Sequence, residues 1–239
     1  MKKQLLILCS ILISLGLTAQ TLSPKVFFQE HPRTHNVKLT TDGEYLYTCN
    51  GGKAHEGMIN KYTLNGQLLE SYDIYLDMRS IMYNAKDKCL YIAAFDRNIY
   101  KITDLSEGSF VLVHKELYED GQANLALDSK GKNLYYMSNG SVIIYDFKSG
   151  KEKKRFNSID CGKYTTEGSS AIAVGEKHFY TWNAKHKIIF VYDMKGNKVK
   201  NINIANGDYG FSLSYANGML FVAVDGDYEM GTWYGYEID

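Results

Sequence analysis

The chain is poor in residues that would staple or stiffen it: its 239 residues include only four cysteines and two prolines. Cys9 falls in an apolar leader. That leaves Cys49, Cys89 and Cys161, an odd number with no CxxC spacing. That pattern argues against a disulfide framework, leaving at most one pair that an oxidising compartment could form, and it offers no paired-thiol zinc site. Net charge is missing too, since 27 Lys and Arg balance 27 Asp and Glu. A neutral chain has no electrostatic footprint for nucleic acid or an acidic membrane, and neither partner is expected. The single basic cluster, "KEKKR" from Lys151 to Arg155, reads as a solvated strand edge. Motifs of the GxSxG, HExxH and phosphate-loop kinds are absent.

Long apolar runs are confined to the beginning. "MKK" precedes "LLILCSILISLGL", and "LTA" ends at Ala19. Basic, then apolar, then small is the order of a secretory signal peptide, here over residues 1–19, and the run is too short to span a bilayer comfortably. Leu8 before Cys9 is too large for a lipidation site. The expectation is cleavage near Ala19 and a periplasmic or secreted protein without membrane insertion. About 220 residues then remain, 20–239, enough for one large domain.

What the chain has in quantity is tyrosine and glycine, 20 and 21 residues, a usage of strands and turns. The tyrosines reveal a repeat. "YLYTCN", "CLYIAAF", "NLYYMSN", "HFYTWN" and "MLFVAV" align on Tyr47, Tyr91, Tyr135, Tyr180 and Phe221, at intervals of 44, 44, 45 and 41. Each has a short strand and turn before it ("NVKLTTDGE", "SIMYNAKDK") and an aromatic strand after it ("INKYTLNG", "VIIYDFKSG"). A more polar fourth strand closes every unit except the fifth. Four strands per unit of about 40–45 residues predicts a blade of a β-propeller. The missing strand stands at the other end, as "KVFFQEH" from Lys25 to His31. The predicted fold is therefore all-β, a five-bladed propeller closed by pairing an N-terminal strand with the last blade. An open β-solenoid has the same period but gives no reason for complementary ends.

Call the strands of a blade a to d from the hub outward. The a–b turns are short, whereas the b–c and d–a connections are long and polar, among them "NGGKAHEG", "FDRN" and "VDGDYEMGT". Function is expected on that second face, where loops sit on rigid strands. Aligned inner strands put Asn36, Ser80, Asn124, Ala171 and Ser212 at one level of the hub, with His35, Arg79, Ala123, Ser170 and Phe211 one step nearer the mouth. Arg79 offers a planar fork for a carboxylate or phosphate, or an ion pair with Asp77 or Asp96. The candidate ligand-binding set is His35, Asn50, His55, Glu56, Arg79, Asp96, Arg97, Asn124, Ser170, Trp182 and Asp227.

Competing chemistries are weaker on sequence grounds. Asp225, Asp227 and Glu229 are hard oxygen donors suited to Ca²⁺ but too few for a dedicated loop, so no metal or cofactor is expected. His55–Glu56 with His35 would supply acid–base groups, although neighbours on an extended chain point apart. Trp182, Trp233 and Phe95 would make a platform for sugar rings unless they pack in the core.

Across residues 20–239 the blade pattern resembles bacterial secreted propellers of the WD-repeat-like and quinoprotein-like kind, which implies an architecture and no particular activity. "EGSSAIAVGEKHFYTWNAKHKIIFVYD", Glu167 to Asp193, is similar to the blade of plant-type glutaminyl cyclases with an acidic–glycine pair and a later tryptophan. That likeness implies Glu167 and Trp182 as site positions. The reading favoured by the sequence is a monomeric binding module, not an enzyme, that takes a glycan, a peptide or an envelope protein. A small propeller enzyme (cyclase, lyase or glycosidase) and an envelope scaffold are the alternatives.

Overall fold

The computed structural model describes residues 21–138, 140–162 and 171–238; the leader expected over 1–19 lies outside them. Two short strands come first, β1 (Thr21–Leu22) and β2 (Val26–Glu30). Blade 1 is β3 (His35–Thr41), β4 (Tyr45–Gly51), β5 (Met58–Thr63) and β6 (Leu68–Asp73). Blade 2 is β7 (Met78–Asn84), β8 (Cys89–Ala94), β9 (Ile99–Asp104) and β10 (Ser109–His114). Blade 3 is β11 (Leu125–Leu127), β12 (Asn133–Ser138), β13 (Ser141–Asp146) and β14 (Glu152–Phe156). Blade 4 is β15 (Ile172–Val174), β16 (His178–Asn183), β17 (Ile188–Asp193) and β18 (Lys198–Ile204). Blade 5 contributes β19 (Ser214–Ala216), β20 (Met219–Val224) and β21 (Gly231–Glu237).

The ring closes as the sequence predicts. β2 takes the outer place in blade 5, antiparallel to β21, with Val26 opposite Gly235 and Glu30 opposite Gly231. A second N-terminal contact was not foreseen: β1 adds a parallel fifth strand to blade 4, Thr21 beside Asn203 and Leu22 beside Ile204. It covers part of an edge that would otherwise be open to other chains. Among the described residues no helix is long and apolar enough to cross a membrane.

Core lies between blades, one cluster at each of the five interfaces. Between blades 4 and 5, for example, Trp182 and Val191 pack with Leu213 and Val222. The seam between blades 5 and 1 is the smallest, with eight buried apolar residues against eleven to thirteen elsewhere among the described residues. This cross-blade burial explains strands that are apolar on both alternations. The abundant tyrosines serve it with both ends. Their rings pack, while their hydroxyls accept the d–a backbone: Asp120 N–H to Tyr136, Asp160 N–H to Tyr192 and Asn206 N–H to Tyr236, at 3.1, 2.7 and 2.8 Å.

Cys49, Cys89 and Cys161 are all free, and burial pushes the Cys49 thiol far above its ordinary pKa. Thiol titration of residues 20–239, denatured and unreduced, should therefore count three groups. In the native state Cys49 should react last; a denatured count of one would reveal a bridge.

Candidate functional site

Strand pairing fixes the true level of each residue in the hub. Tyr47 pairs with Thr40, Tyr91 with Met82, Tyr135 with Ala126, Tyr180 with Ala173 and Phe221 with Ser214. Counting back from these pairs puts Lys38, Ser80, Asn124, Ala171 and Ser212 in one ring. Four of the five agree with the sequence alignment. In blade 1 the alignment slips, because Tyr47 pairs seven residues back and Tyr91 nine back. The shorter hairpin slides β3 by one full side-chain period, which keeps the same face inward. Lys38 thus occupies the place expected for Asn36.

Lys38 is almost wholly enclosed, and its Nζ donates to Asn124 Oδ1 at 2.5 Å, Ile172 O at 2.7 Å and Leu213 O at 3.3 Å. Asn124 in turn donates to the Arg79 carbonyl at 2.6 Å, and Leu125 N–H to Ser80 Oγ at 2.6 Å. Side chains from blades 1, 2 and 3 and carbonyls from blades 4 and 5 meet in this one network. Asn124, a predicted ligand contact, is fully buried in it. Below Lys38 the channel narrows to a cavity of about 30 Å³ lined by Thr40, Tyr83, Leu127, Val174 and Tyr215. That is room for a water, not for a metabolite.

Above the network, at the mouth, His35 is held from three sides. Its Nδ1 donates to Asp225 Oδ2 at 2.6 Å, and the other oxygen of Asp225 accepts the Asn36 N–H at 2.9 Å. Tyr209 stacks on the imidazole at 5.7 Å between centroids, and Tyr228 meets it edge-on at 5.6 Å. Asp227 Oδ1 lies 3.9 Å from the same nitrogen and is largely exposed. The Asp225 hydrogen bond raises the His35 pKa above the ordinary imidazole value, against the opposing effects of burial and of Arg79. Burial raises the Tyr209 hydroxyl well above the usual phenol, with the neighbouring Asp225 adding to the shift.

The "DGDYE" turn builds this arrangement at a backbone cost. Asp227 and Tyr228 are consecutive left-handed residues, φ 43° and 73°, fixed by Tyr228 N–H to Thr34 O at 2.9 Å. From the facing loop, Gly52 has φ 122° and donates its N–H to Asp77 Oδ1 at 2.7 Å. A Cβ there would sit 3.3 Å from the His35 ring and in a backbone conformation that L side chains avoid. The "NGGKAHEG" connection of blade 1 therefore carries glycine where its backbone passes against the histidine.

Arg79 pairs with Asp77 at 2.9 Å, one of the two partners foreseen, and lies over the Phe95 ring at 5.0 Å. Its side chain is only 10% exposed, and its Nε is buried without a hydrogen-bond partner. It is a bulged residue of β7, unpaired between Met78 and Ser80. Such bulges redirect side chains at the rims of barrels and next to active sites.

The remaining candidates separate. Asn50 is buried and spent on shaping the insert, donating to Pro32 O and Glu56 O and accepting Met58 N–H. His55 and Glu56 do approach, at 3.6 Å, because a 3-10 turn over Ala54–Glu56 replaces the extended chain expected there. His35 takes Asp225, not Glu56, as its carboxylate partner. Asp96 and Arg97 belong to the turn at the end of β8, Asp96 accepting Tyr100 O–H at 2.6 Å and Arg97 pairing with Glu116. Trp182 and Trp233 are fully buried, so neither forms a sugar platform, whereas Phe95 is about half exposed. Ser170 and Glu167 lie outside the described residues.

His35, Asp225 and Asp227 bring three donor atoms within 4.8 Å of one another, the one group of this kind found among the described residues. A cation there would have to displace the His35–Asp225 hydrogen bond and sit against the field of Arg79. The donor set suits proton transfer better. The opposite face is less plain than its short turns suggest. Clefts of about 430 Å³ and 260 Å³ open there between blades 3 and 4 and between blades 1 and 2. Lys153, on the wall of the larger, already engages Asn133 and Asp146.

No protein-family model and no curated protein matches the sequence. In fold the chain is similar to the crystal structure of Myxococcus xanthus glutaminyl cyclase, with a TM-score of 0.61 and 9% identity over 92% of this chain and 100% of that one. At that identity the likeness establishes the propeller architecture alone, five blades of four antiparallel strands around a hub.

Proposed function

We propose that the protein acts outside the cytoplasm as a small propeller that binds a polar ligand at the mouth of its hub, and that His35 transfers a proton on that ligand. The observation that carries this reading is the 2.6 Å His35–Asp225 hydrogen bond, backed by Asn36 N–H and clamped between two tyrosines. Asp225 holds the proton on Nδ1 and orients the ring, which leaves Nε2 as the working base or, once protonated, the acid. A pure binding module has no need of such a pair. Glycosidase chemistry wants two carboxyl groups flanking the scissile bond, and Asp225 is already committed to His35.

Cyclisation of an amino-terminal glutamine is the specific reaction we favour, on this pair together with the fold shared with a glutaminyl cyclase. The α-amine attacks the side-chain amide carbonyl, a ring C–N bond forms, and the amide nitrogen leaves as ammonia. One group must move a proton from the attacking amine to the leaving nitrogen, and we assign that transfer to His35.

The test is ammonia release and mass change with glutamine-initiated peptides. His35→Ala should lower turnover by roughly 10²-fold or more. Asp225→Asn should move the acidic limb of the rate profile to lower pH, since the pKa-raising partner is gone and His35 stays unprotonated, as a base must, further down the scale. Lys130→Ala and Asn217→Gly, on the a–b turns, should leave activity unchanged. Peptide binding at the mouth without turnover would discard the cyclase reading alone. Binding that survives His35→Ala and Arg79→Ala but is lost in the two a–b variants would place the site on the wrong face.

A further inference from the structure

Arg79 is held firmly at the mouth, yet its donors are largely unused. Its carbonyl accepts Asn124 Nδ2 at 2.6 Å and Ser80 Oγ at 2.7 Å, which pins the β7 bulge to the hub network. The guanidinium lies over Phe95, and Nη2 donates to Asp77 Oδ2 at 2.9 Å. Asp77 is fixed in turn by the Gly52 N–H. It is the one acceptor that the guanidinium finds among the described residues, and Nε is buried without any. Leaving such donors unpaired in a side chain only 10% exposed costs stability, and calls for a functional account. The guanidinium also acts where the proton is moved. Its charge is felt at His35 and at the Tyr209 hydroxyl, and so are the charges of Asp225 and Asp227. These side chains therefore border one space, with the half-exposed Phe95 ring beside Arg79.

We propose that Arg79 binds a carboxylate of the ligand, so that the mouth takes a free amino acid rather than the end of a peptide chain. This rests on the mouth being the ligand site. Arginine presents its N–H donors in a rigid plane that meets the two oxygens of a carboxylate side by side. A dianionic phosphate fits less well. It would face the carboxylates of Asp77, Asp225 and Asp227 against two cations, Arg79 and the exposed Lys53 that lies over Tyr228. A singly charged carboxylate meets half that repulsion and keeps the guanidinium contact. Because Arg79 and His35 border the same space, the group that Arg79 holds stands next to the amine from which His35 takes a proton. In free glutamine that neighbour is the α-carboxylate. In a peptide it is a neutral amide, which gives a guanidinium far less. Asp77 then serves to position Arg79, tying it to the backbone of the facing insert at Gly52.

Calorimetric titration of residues 20–239 with N-acetylglutamine and with its primary amide tests this. Neither compound can cyclise, because the nitrogen is acylated, so binding is read apart from turnover. The acid should bind at least tenfold more tightly than the amide, about 1.4 kcal/mol. Arg79→Gln should abolish that preference by weakening the acid alone, and Arg79→Lys, which keeps the charge without the planar fork, should retain part of it. A second readout is the His35 imidazole, titrated by NMR. Arg79 lowers its pKa, so a carboxylate paired with Arg79 should raise it. The amide should leave it where it was. Equal affinity for acid and amide overturns the proposal while leaving the proton-transfer reading in place. So does an Arg79→Gln variant that weakens both alike, the mark of a purely structural role, and so does a failure of both compounds to bind. If glutamine-initiated peptides prove inert while the acid keeps its Arg79-dependent advantage, the cyclase reading falls and the carboxylate site stands.

Discussion

Replacing Glu30 with alanine should remove about 4 kcal/mol of stability, a large share of the about 5–15 kcal/mol that a folded domain possesses. The carboxylate ends the closing strand β2 and is buried, and its partners come from four further strands, β3, β4, β5 and β21. Asn36 Nδ2, Asn60 Nδ2 and Trp233 Nε1 donate to it at 3.0, 2.6 and 2.5 Å, and Thr48 Oγ1 donates as well. It therefore ties blade 5 to blade 1 where apolar packing is thinnest. Alanine would leave four donors with no acceptor in a dry seam and open a cavity beside Trp233. Glu30→Gln keeps the volume but turns one oxygen into a donor facing donors, and should cost about half as much. Guanidinium unfolding curves of the three proteins would measure this. Near-identical midpoints would mean that water replaces the carboxylate freely and the seam is held by its apolar residues.

Lys38→Met should cost about 3 kcal/mol at neutral pH, because three acceptors in the hub lose their shared donor. Its pH signature separates it from an ordinary core substitution. Burial lowers the Lys38 pKa from 10.5 to about 7. Between those values the unfolded chain holds a proton that the folded chain does not, so stability attributable to Lys38 rises with pH across that window. It is fully present above the unfolded value and lost as pH falls toward about 7. The slope of the difference between the native protein and Lys38→Met is at most one proton, about 1.4 kcal/mol per pH unit. Cys49 is the titratable neighbour that opposes the shift, and with its own pKa far higher it stays neutral throughout. A difference curve that is flat from pH 7 to 10 would show that the ammonium keeps its proton, held by the three acceptors.

The architecture was legible because it is written in a period. Tyr47, Tyr91, Tyr135, Tyr180 and Phe221 fill equivalent places in strand b, and the surplus strand at Lys25–His31 could only belong to the blade that lacked one. Levels within the hub depend on hairpin length, which a two-residue difference disguises while preserving the inward face. That is why the alignment put Asn36 at the level that Lys38 occupies. The mouth was only half visible. His35, Arg79 and Asp227 do gather there, but Asp225 and Tyr209 come from other loops, nearly two hundred residues away in sequence. An aspartate in an acidic turn looks solvated until the partner that buries it is known, and nothing local distinguishes Asp225 from Asp227. Asn50 and Trp182 turn out to be buried for the converse reason: a polar or aromatic residue beside a loop is often spent on holding that loop.

Ring closure between β2 and β21 has a kinetic meaning. The first of these strands to be synthesised waits unpaired until the last has been made, so the seam is among the latest contacts to form. Closing so long a loop from a random chain would be slow, but blades 1 to 4 bring the ends together first and much of the entropy has then been lost. Contacts made after the folding barrier act on the return journey instead. Damage to the seam should leave refolding nearly as fast as before and let the native ring spring open sooner, shortening its lifetime.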